Sequence, residues 1–327
     1  MAHRRVWIAG HGGMVGSAIG RLVEAQGETV LKVDRRSVDL RNQLAIELWL
    51  KQARPDAIVF AAAKVGGIGA NCAYPADFIF DNLAIEMNVI HSAHVANVDR
   101  LVFLASSCIY PAGASQPIKE ESLLSGGLES SNEWYSIAKI AGVKLCQAYW
   151  KQYGRRYTAV APCNLFGPGD NFDPDTGHVI PSLIQRFHEA KVRRQQRVVV
   201  WGTGEPLREF LHVQDLARAV LLCLERYDEP GPVNCGSGLE ISIADLAEIV
   251  AKVVGFDGKI IFDPRRPSGA PRKFLDSKKL RDLGWRPDID LEAGIVSTFD
   301  WFLKNKPHGY VDAPFTEIGD DFGLRWM

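Results

Sequence analysis

The chain has 327 residues, 46% of them hydrophobic and 24% charged, with a formal net charge of -1. That is enough for one large or two modest domains. The balanced charge gives no basic surface for nucleic acid or an anionic membrane, and no apolar run reaches the ~18 residues of a spanning helix.

Met1-Ala2-His3-Arg4-Arg5 leads straight into the first strand and leaves no room for a signal peptide. Six cysteines without paired C-x-x-C spacing suggest neither a disulfide framework nor a metal site. A reducing, cytoplasmic setting is expected. Val6-Trp7-Ile8-Ala9 reads as a buried strand. It enters Gly10-His11-Gly12-Gly13-Met14-Val15-Gly16, and the residues from Ser17 read as a helix. Gly10, Gly13 and Gly16 follow a G-x-x-G-x-x-G spacing between strand and helix. Glycines there permit a tight turn and close approach of a pyrophosphate, and the helix N-terminus favours its charge. Residues 10 to 16 are therefore the candidate dinucleotide turn.

Thr29 to Val33 is the second predicted strand, and Asp34-Arg35-Arg36 follows it. An acid here holds the adenosine ribose and selects NAD, whereas an arginine accommodates the 2′-phosphate of NADP. Both are present, so these residues alone leave the choice open. Leu44 to Gln52 reads as an amphipathic helix, Ala57 to Phe60 as a buried strand, and Ala76 to Asn97 as one long helix. Leu101 to Ala105 is an apolar strand ending in Ser106, Ser107 and Cys108. Ligands of open parallel sheets bind at such strand ends. A Gly/Ser/Pro-rich loop runs to about Asn132, followed by Tyr135-Ser136-Ile137-Ala138-Lys139. Tyr135 and Lys139 lie one helical turn apart on one face. A nearby cation is expected to lower the phenol pKa, fitting Tyr135 to exchange a proton with a carbonyl oxygen.

Tyr157 to Pro162 is the next strand, and beyond Phe166 the alternation loosens through Gly167-Pro168-Gly169-Asp170 and Asp173-Pro174-Asp175. A helix from Ile180 to Ala190, a strand at Val198 to Trp201, a helix from Gln214 to Glu225, strands at Val233 to Cys235 and Lys259 to Phe262, and a helix from Ser242 to Val254 complete the reading. Strands alternating with helices predict an α/β fold, a Rossmann-type doubly wound parallel sheet with a smaller C-terminal α/β substrate-binding lobe. The expected division is a nucleotide-binding domain over 1–165, with a segment near 210–235 returning to it, and a substrate lobe over 166–327. The tail after Pro314 carries no assigned role.

The glycine turn, then Ser106, then Tyr135-x-x-x-Lys139, resembles the extended, sugar-nucleotide branch of the short-chain dehydrogenase/reductase superfamily. Four further runs narrow the resemblance. They are Ala62-Ala63-Lys64-Val65-Gly66-Gly67-Ile68, Ser106-Ser107-Cys108-Ile109-Tyr110-Pro111, Asn171-Phe172 with His178-Val179-Ile180-Pro181, and Trp201-Gly202-Thr203-Gly204 with Arg208-Glu209-Phe210-Leu211-His212-Val213. Together they are similar to the GDP-4-keto-6-deoxy-D-mannose 3,5-epimerase/4-reductases, the GDP-L-fucose synthase family.

That resemblance implies NADP(H) as cofactor and a GDP-sugar as substrate. It places Arg35 on the 2′-phosphate, Asp39 and Leu40 at adenine, and Ala62 and Ala63 along the ribose-phosphate. Pro162, Cys163, Asn164 and Leu165 lie by the nicotinamide, with Lys139 and His178 also touching the cofactor. Cys108 is implied as epimerisation base and His178 as acid. Ser106 binds the C4 oxygen, Ser107 shapes the site, Tyr135 supplies the proton for reduction, and Lys139 supports it. Arg186, Trp201, Arg208 and Asp276 contact the nucleotide half. Each has a plainer alternative, such as core packing for Trp201 or a surface ion pair for Asp276. The resemblance also implies a homodimer in which the Ala76–Asn97 and Tyr135 helices form a four-helix bundle. The alternative substrates are a GDP-4-keto-dideoxyhexose or heptose, with one epimerisation or none.

Overall fold

The computed structural model describes residues 4–173, 177–265 and 270–305. Part of the Asp173-Pro174-Asp175 stretch and the whole tail after Pro314 lie outside the described residues.

The strands in chain order are β1 (Arg5–Ala9), β2 (Thr29–Leu31), β3 (Ala57–Phe60), β4 (Arg100–Leu104), β5 (Arg156–Pro162), β6 (Asn164–Phe166), β7 (Arg197–Trp201), β8 (Leu207–His212), β9 (Pro232–Cys235), β10 (Glu240–Ser242), β11 (Lys259–Asp263) and β12 (Arg272–Lys273). The helices are α1 (Met14–Ala25), α2 (Gln43–Ala53), α3 (Ile68–Ala73), α4 (Pro75–Val95), α5 (Glu133–Tyr153), α6 (Val179–Val192), α7 (Val213–Arg226), α8 (Ile243–Val254), α9 (Lys278–Asp282) and α10 (Leu291–Asn305).

Six strands form a parallel sheet in the order β2-β1-β3-β4-β5-β9. Its register aligns Ile8 with Val59, Val59 with Val102 and Val102 with Thr158. Trp7, Ile8, Ile58, Val59, Val102 and Phe103 are all buried, as strands covered on both faces must be. Helix α1 packs against α7, while α4 packs against both α2 and α5. This is the doubly wound α/β architecture that the alternation predicted.

A second core gathers Phe166, Phe172, Ile184, Phe187, Val198, Phe210, Val250, Ile295 and Phe302. Around it lie α6, α8 and α10, the β7–β11 pair, and a small sheet of β10, β8 and β12 joined by β6. Local chemistry sets several ends. The Asn42 side chain accepts from Ala45 N at 3.1 Å to start α2, and Ser242 Oγ accepts from Asp245 N at 3.0 Å to start α8. Gly154, with φ 67°, closes α5.

Several predicted boundaries shift by one or two residues. β2 ends at Leu31 rather than Val33. α4 stops at Val95 because Asn97 turns into the left-handed region with φ 58°.

Candidate active site

β1 has β2 on one side and β3 on the other, so the chain reverses its direction across the sheet at β1. The crevice at such a switch point is where open α/β sheets bind ligands. Gly10 sits there with φ 92°, and a Cβ on it would lie 2.7 Å from Ala62 N. A Cβ on Gly16 would overlap the Gly10 carbonyl oxygen. Gly13 begins α1 without a side-chain cap, leaving first-turn N–H groups to face an anion. A backbone cradle that side chains would fill and an uncapped helix end fit a dinucleotide. Residues 10 to 16 with Ala62 and Ala63 would hold it.

At the end of β2, Arg35 and Arg36 are exposed, and Asp34 faces His11 Nε2 at 3.5 Å. Asp39 is engaged by Arg41 at 2.7 Å, and this hydrogen-bonded guanidinium holds its carboxyl down at about 2. Leu40 O accepts from Asn88 Nδ2 at 3.2 Å. Across the crevice, Pro162 ends β5. Cys163 N donates to Cys235 O at 3.0 Å, and Asn164 Nδ2 donates to Glu209 O at 2.9 Å. These bonds hold the run from Pro162 to Leu165 between the two sheets.

At the end of β4, Ser106 Oγ accepts from Cys108 N at 3.3 Å and caps a short helical turn over Ser107–Ile109. Ser107 and Cys108 are buried in that turn. Lys139 Nζ donates to Leu104 O at 3.0 Å, which ties the Tyr-Lys helix to the strand that bears the serine. The ammonium lies 4.6 Å from the Phe103 ring centroid and 5.7 Å from that of Tyr135.

The phenol of Tyr135 is pushed well above its ordinary pKa, first by burial and then by Cys108 and Glu86. This corrects the expectation of a lowered value. Lys139 is close to the ring, but its charge is faced by Glu86 Oε1 at 3.3 Å. Tyr135 therefore holds its proton, as a general acid must before reaction.

Cys108 also faces Lys273, whose ammonium is pushed down chiefly by burial and feels Cys108, Arg208 and Glu129. Lys273 stands opposite Arg208 in the β12–β8 register. His178 is the residue before α6, and its Nδ1 lies 3.4 Å from Asp170 Oδ1. Asp170 raises the histidine's pKa. Gly169 brings this turn against α1, since a Cβ on it would lie 3.6 Å from Met14 Cα. Further out, the Arg186 guanidinium stacks 5.1 Å from the Trp201 ring centroid. Asp276 Oδ1 accepts from Arg281 Nη2 at 2.9 Å and Lys278 N at 3.0 Å. That is the ion pair of its plainer alternative, and it does not join Asp276 to the other candidates.

Residues 6–236 match the family described as "NAD dependent epimerase/dehydratase family". The chain belongs to that family. Among its relatives, "GDP-L-fucose synthase 1" of Arabidopsis thaliana is 54% identical over 302 residues, covering 92% of this chain and 94% of that protein. "GDP-L-fucose synthase" of Escherichia coli (strain K12) is 50% identical over 316 residues, covering 94% and 98%. A solved structure of "a gdp-l-fucose synthetase from Naegleria fowleri bound to NADP" superposes with a TM-score of 0.86 at 27% identity, covering 93% of this chain and 96% of that one.

Three polar residues of this epimerase/dehydratase site escaped the sequence reading: Glu86, Asp170 and Lys273. Glu86 had a signal, because it shares the buried face of α4 with Phe78, Asn82, Val89, Ile90 and Ala93. A carboxylate on such a face is rarely left without a partner. Asp170 lay in a segment read only as irregular, and Lys273 takes its neighbours Cys108 and Arg208 from elsewhere in the chain.

Proposed function

We propose that this protein converts GDP-4-keto-6-deoxy-D-mannose to GDP-L-fucose, epimerising C3 and C5 and then reducing the C4 ketone with NADPH. The observation that carries this reading is the juxtaposition of Cys108 and Tyr135. An epimerisation base and a reductive acid meet at the end of β4, where the buried Cys108 acts on the half-buried Tyr135 phenol. A reductase alone needs only the tyrosine.

The ketone acidifies the protons on C3 and C5. Cys108, as thiolate, removes one of them and leaves an enolate. Ser106 donates to the enolate oxygen; a donor of this kind is worth ~2.7–4 kcal/mol in rate. His178, whose protonated form Asp170 favours, returns a proton to the opposite face. The thiol then loses its proton to solvent and the histidine regains one, and repeating the exchange at the other carbon completes the double inversion. Bound NADPH supplies the hydride for C4. Tyr135 then donates its proton to the C4 oxygen, and Lys139, beside the phenol, would hold the cofactor ribose. Arg186, Arg208 and Trp201 offer guanidinium and aromatic surfaces to the diphosphate and base, which fork-shaped cations match well.

A homodimer belongs to the same proposal. Phe80, Met87 and Val95 form an exposed apolar stripe on α4, and α5 adds Trp134 and Tyr153. Two copies of the packed α4–α5 pair would bury these as a four-helix bundle. Six free thiols accord with a cytoplasmic setting.

The test is incubation with GDP-4-keto-6-deoxy-D-mannose and NADPH, with product stereochemistry read by NMR. GDP-L-fucose is expected, with one NADPH oxidised per sugar. A product still in the manno configuration, or no oxidation, overturns the reading.

A further inference from the structure

Glu86 has no role in the chemistry above, yet it is a carboxylate fully buried beside the reaction centre. It is 1% exposed and faces Lys139, itself 2% exposed, at 3.3 Å. Neither carboxylate oxygen has a well-formed hydrogen bond among the described residues. Packing alone does not account for this arrangement, because burying a weakly satisfied carboxylate is costly. The helix opposite is shaped to admit it. A Cβ at Gly142 would lie 2.9 Å from Glu86 Oε2 and 2.5 Å from the Phe103 ring, so only glycine leaves room for the carboxylate.

We infer that Glu86 is the positioning residue and counter-ion of Lys139, setting the charge balance beside the Tyr135 phenol; this rests on the function proposed above. Lys139 alone would draw Tyr135 toward the phenolate, because a nearby cation favours the charged form. Such a tyrosine would reach the C4 oxygen with no proton to give. Glu86 cancels that pull. Burial first, and then the same carboxylate, push up the Cys146 thiol on α5. The titratable and charged groups around it are thus Lys139, Tyr135 and Cys146, and Cys108 acts on the same phenol. Burial pushes the Glu86 carboxyl itself up to about 7, so it is ionised throughout the alkaline range in which a phenol titrates.

The experiment is Glu86→Gln, which keeps the shape and removes the charge. Phenolate absorbance of the protein without cofactor or substrate is followed against pH. The Tyr135 contribution is isolated by subtracting Tyr135→Phe in the same background. Tyr135 is expected to ionise about one pH unit or more lower in the variant. The alkaline limb of C4 reduction should move by the same amount. An unmoved Tyr135 titration overturns the inference, whatever happens to the rate. Should the variant not fold, thermal melting of Lys139→Met is compared with Lys139→Met/Glu86→Gln. The second change should recover much of the Tm lost to the first, and no recovery overturns the pairing. Wild-type turnover tests the proposed function separately, since the absorbance titration needs no substrate.

Discussion

The Asp170 carboxylate holds Nδ1 of His178 at 3.4 Å and is itself fixed by Asn171 N, which donates to it at 2.8 Å. This pair raises the pKa of His178. A raised folded-state pKa adds stability that is fully present below the unfolded pKa and is lost as pH rises through the folded one. The histidine is half exposed, so that stability is small; the catalytic consequence is larger.

Asp170→Asn should therefore lower the pKa of His178. Deuterium incorporation from solvent at C3 and C5 would then fail at lower pH. It should drop about tenfold on the alkaline side and stay unchanged on the acid side. An unaltered pH profile would show that the pair does not serve proton return.

Tyr135→Phe removes one hydroxyl and keeps the ring that packs edge-on against Phe78. Reduction of C4 should fall by about 10²–10⁴-fold, the usual contribution of a positioned acid. Deuterium exchange into the sugar should continue, because it depends on Cys108 and His178. NADPH oxidation near the wild-type rate would remove Tyr135 from its role.

Cys108→Ser keeps the approximate size in a buried turn and replaces the thiol with a far weaker acid. The variant should reduce the ketone without inverting C3 and C5, giving a GDP-deoxyhexose of unchanged configuration. Formation of GDP-L-fucose at the wild-type rate would make Cys108 structural and require another base.

Arg35→Ala should erode the preference for NADPH. A charge-assisted contact with the 2′-phosphate is worth about 1.5–3 kcal/mol, so the ratio of kcat/KM for NADPH over NADH should fall roughly 10- to 100-fold. Asp34 remains beside His11 and would favour NADH in the variant. A ratio that does not change would assign the selectivity to Arg36 or to the backbone.

Residues whose meaning is local were legible in the sequence. Gly10 and Gly16 act on each other within one turn, and Tyr135 and Lys139 lie on adjacent turns of one helix. The strand runs of the main sheet were legible for the same reason, because apolar residues on both faces leave a continuous pattern. What was not legible depends on partners distant in sequence. Glu86 acquires its meaning from Lys139 on another helix, and the upward shift of Tyr135 comes from burial first and then from Cys108 and Glu86, which other elements bring beside it. β6 is three residues long and exists because it pairs with β8. α10 went unread, although Ile295 and Phe302 bury into the second core.

β9 returns to lie beside β5 after the chain has already built β6, β7 and β8 on the other core. The two halves are therefore sewn together rather than strung in series. A fragment ending at residue 165 would lack the strand that covers the β5 edge, and would also lose α7, which packs against α1. Exchange of the sugar-facing half between relatives cannot succeed by one crossover, because a single joint splits β5 from β9. In this architecture, new sugar specificity is more accessible through substitutions along the seam than through the trading of whole modules.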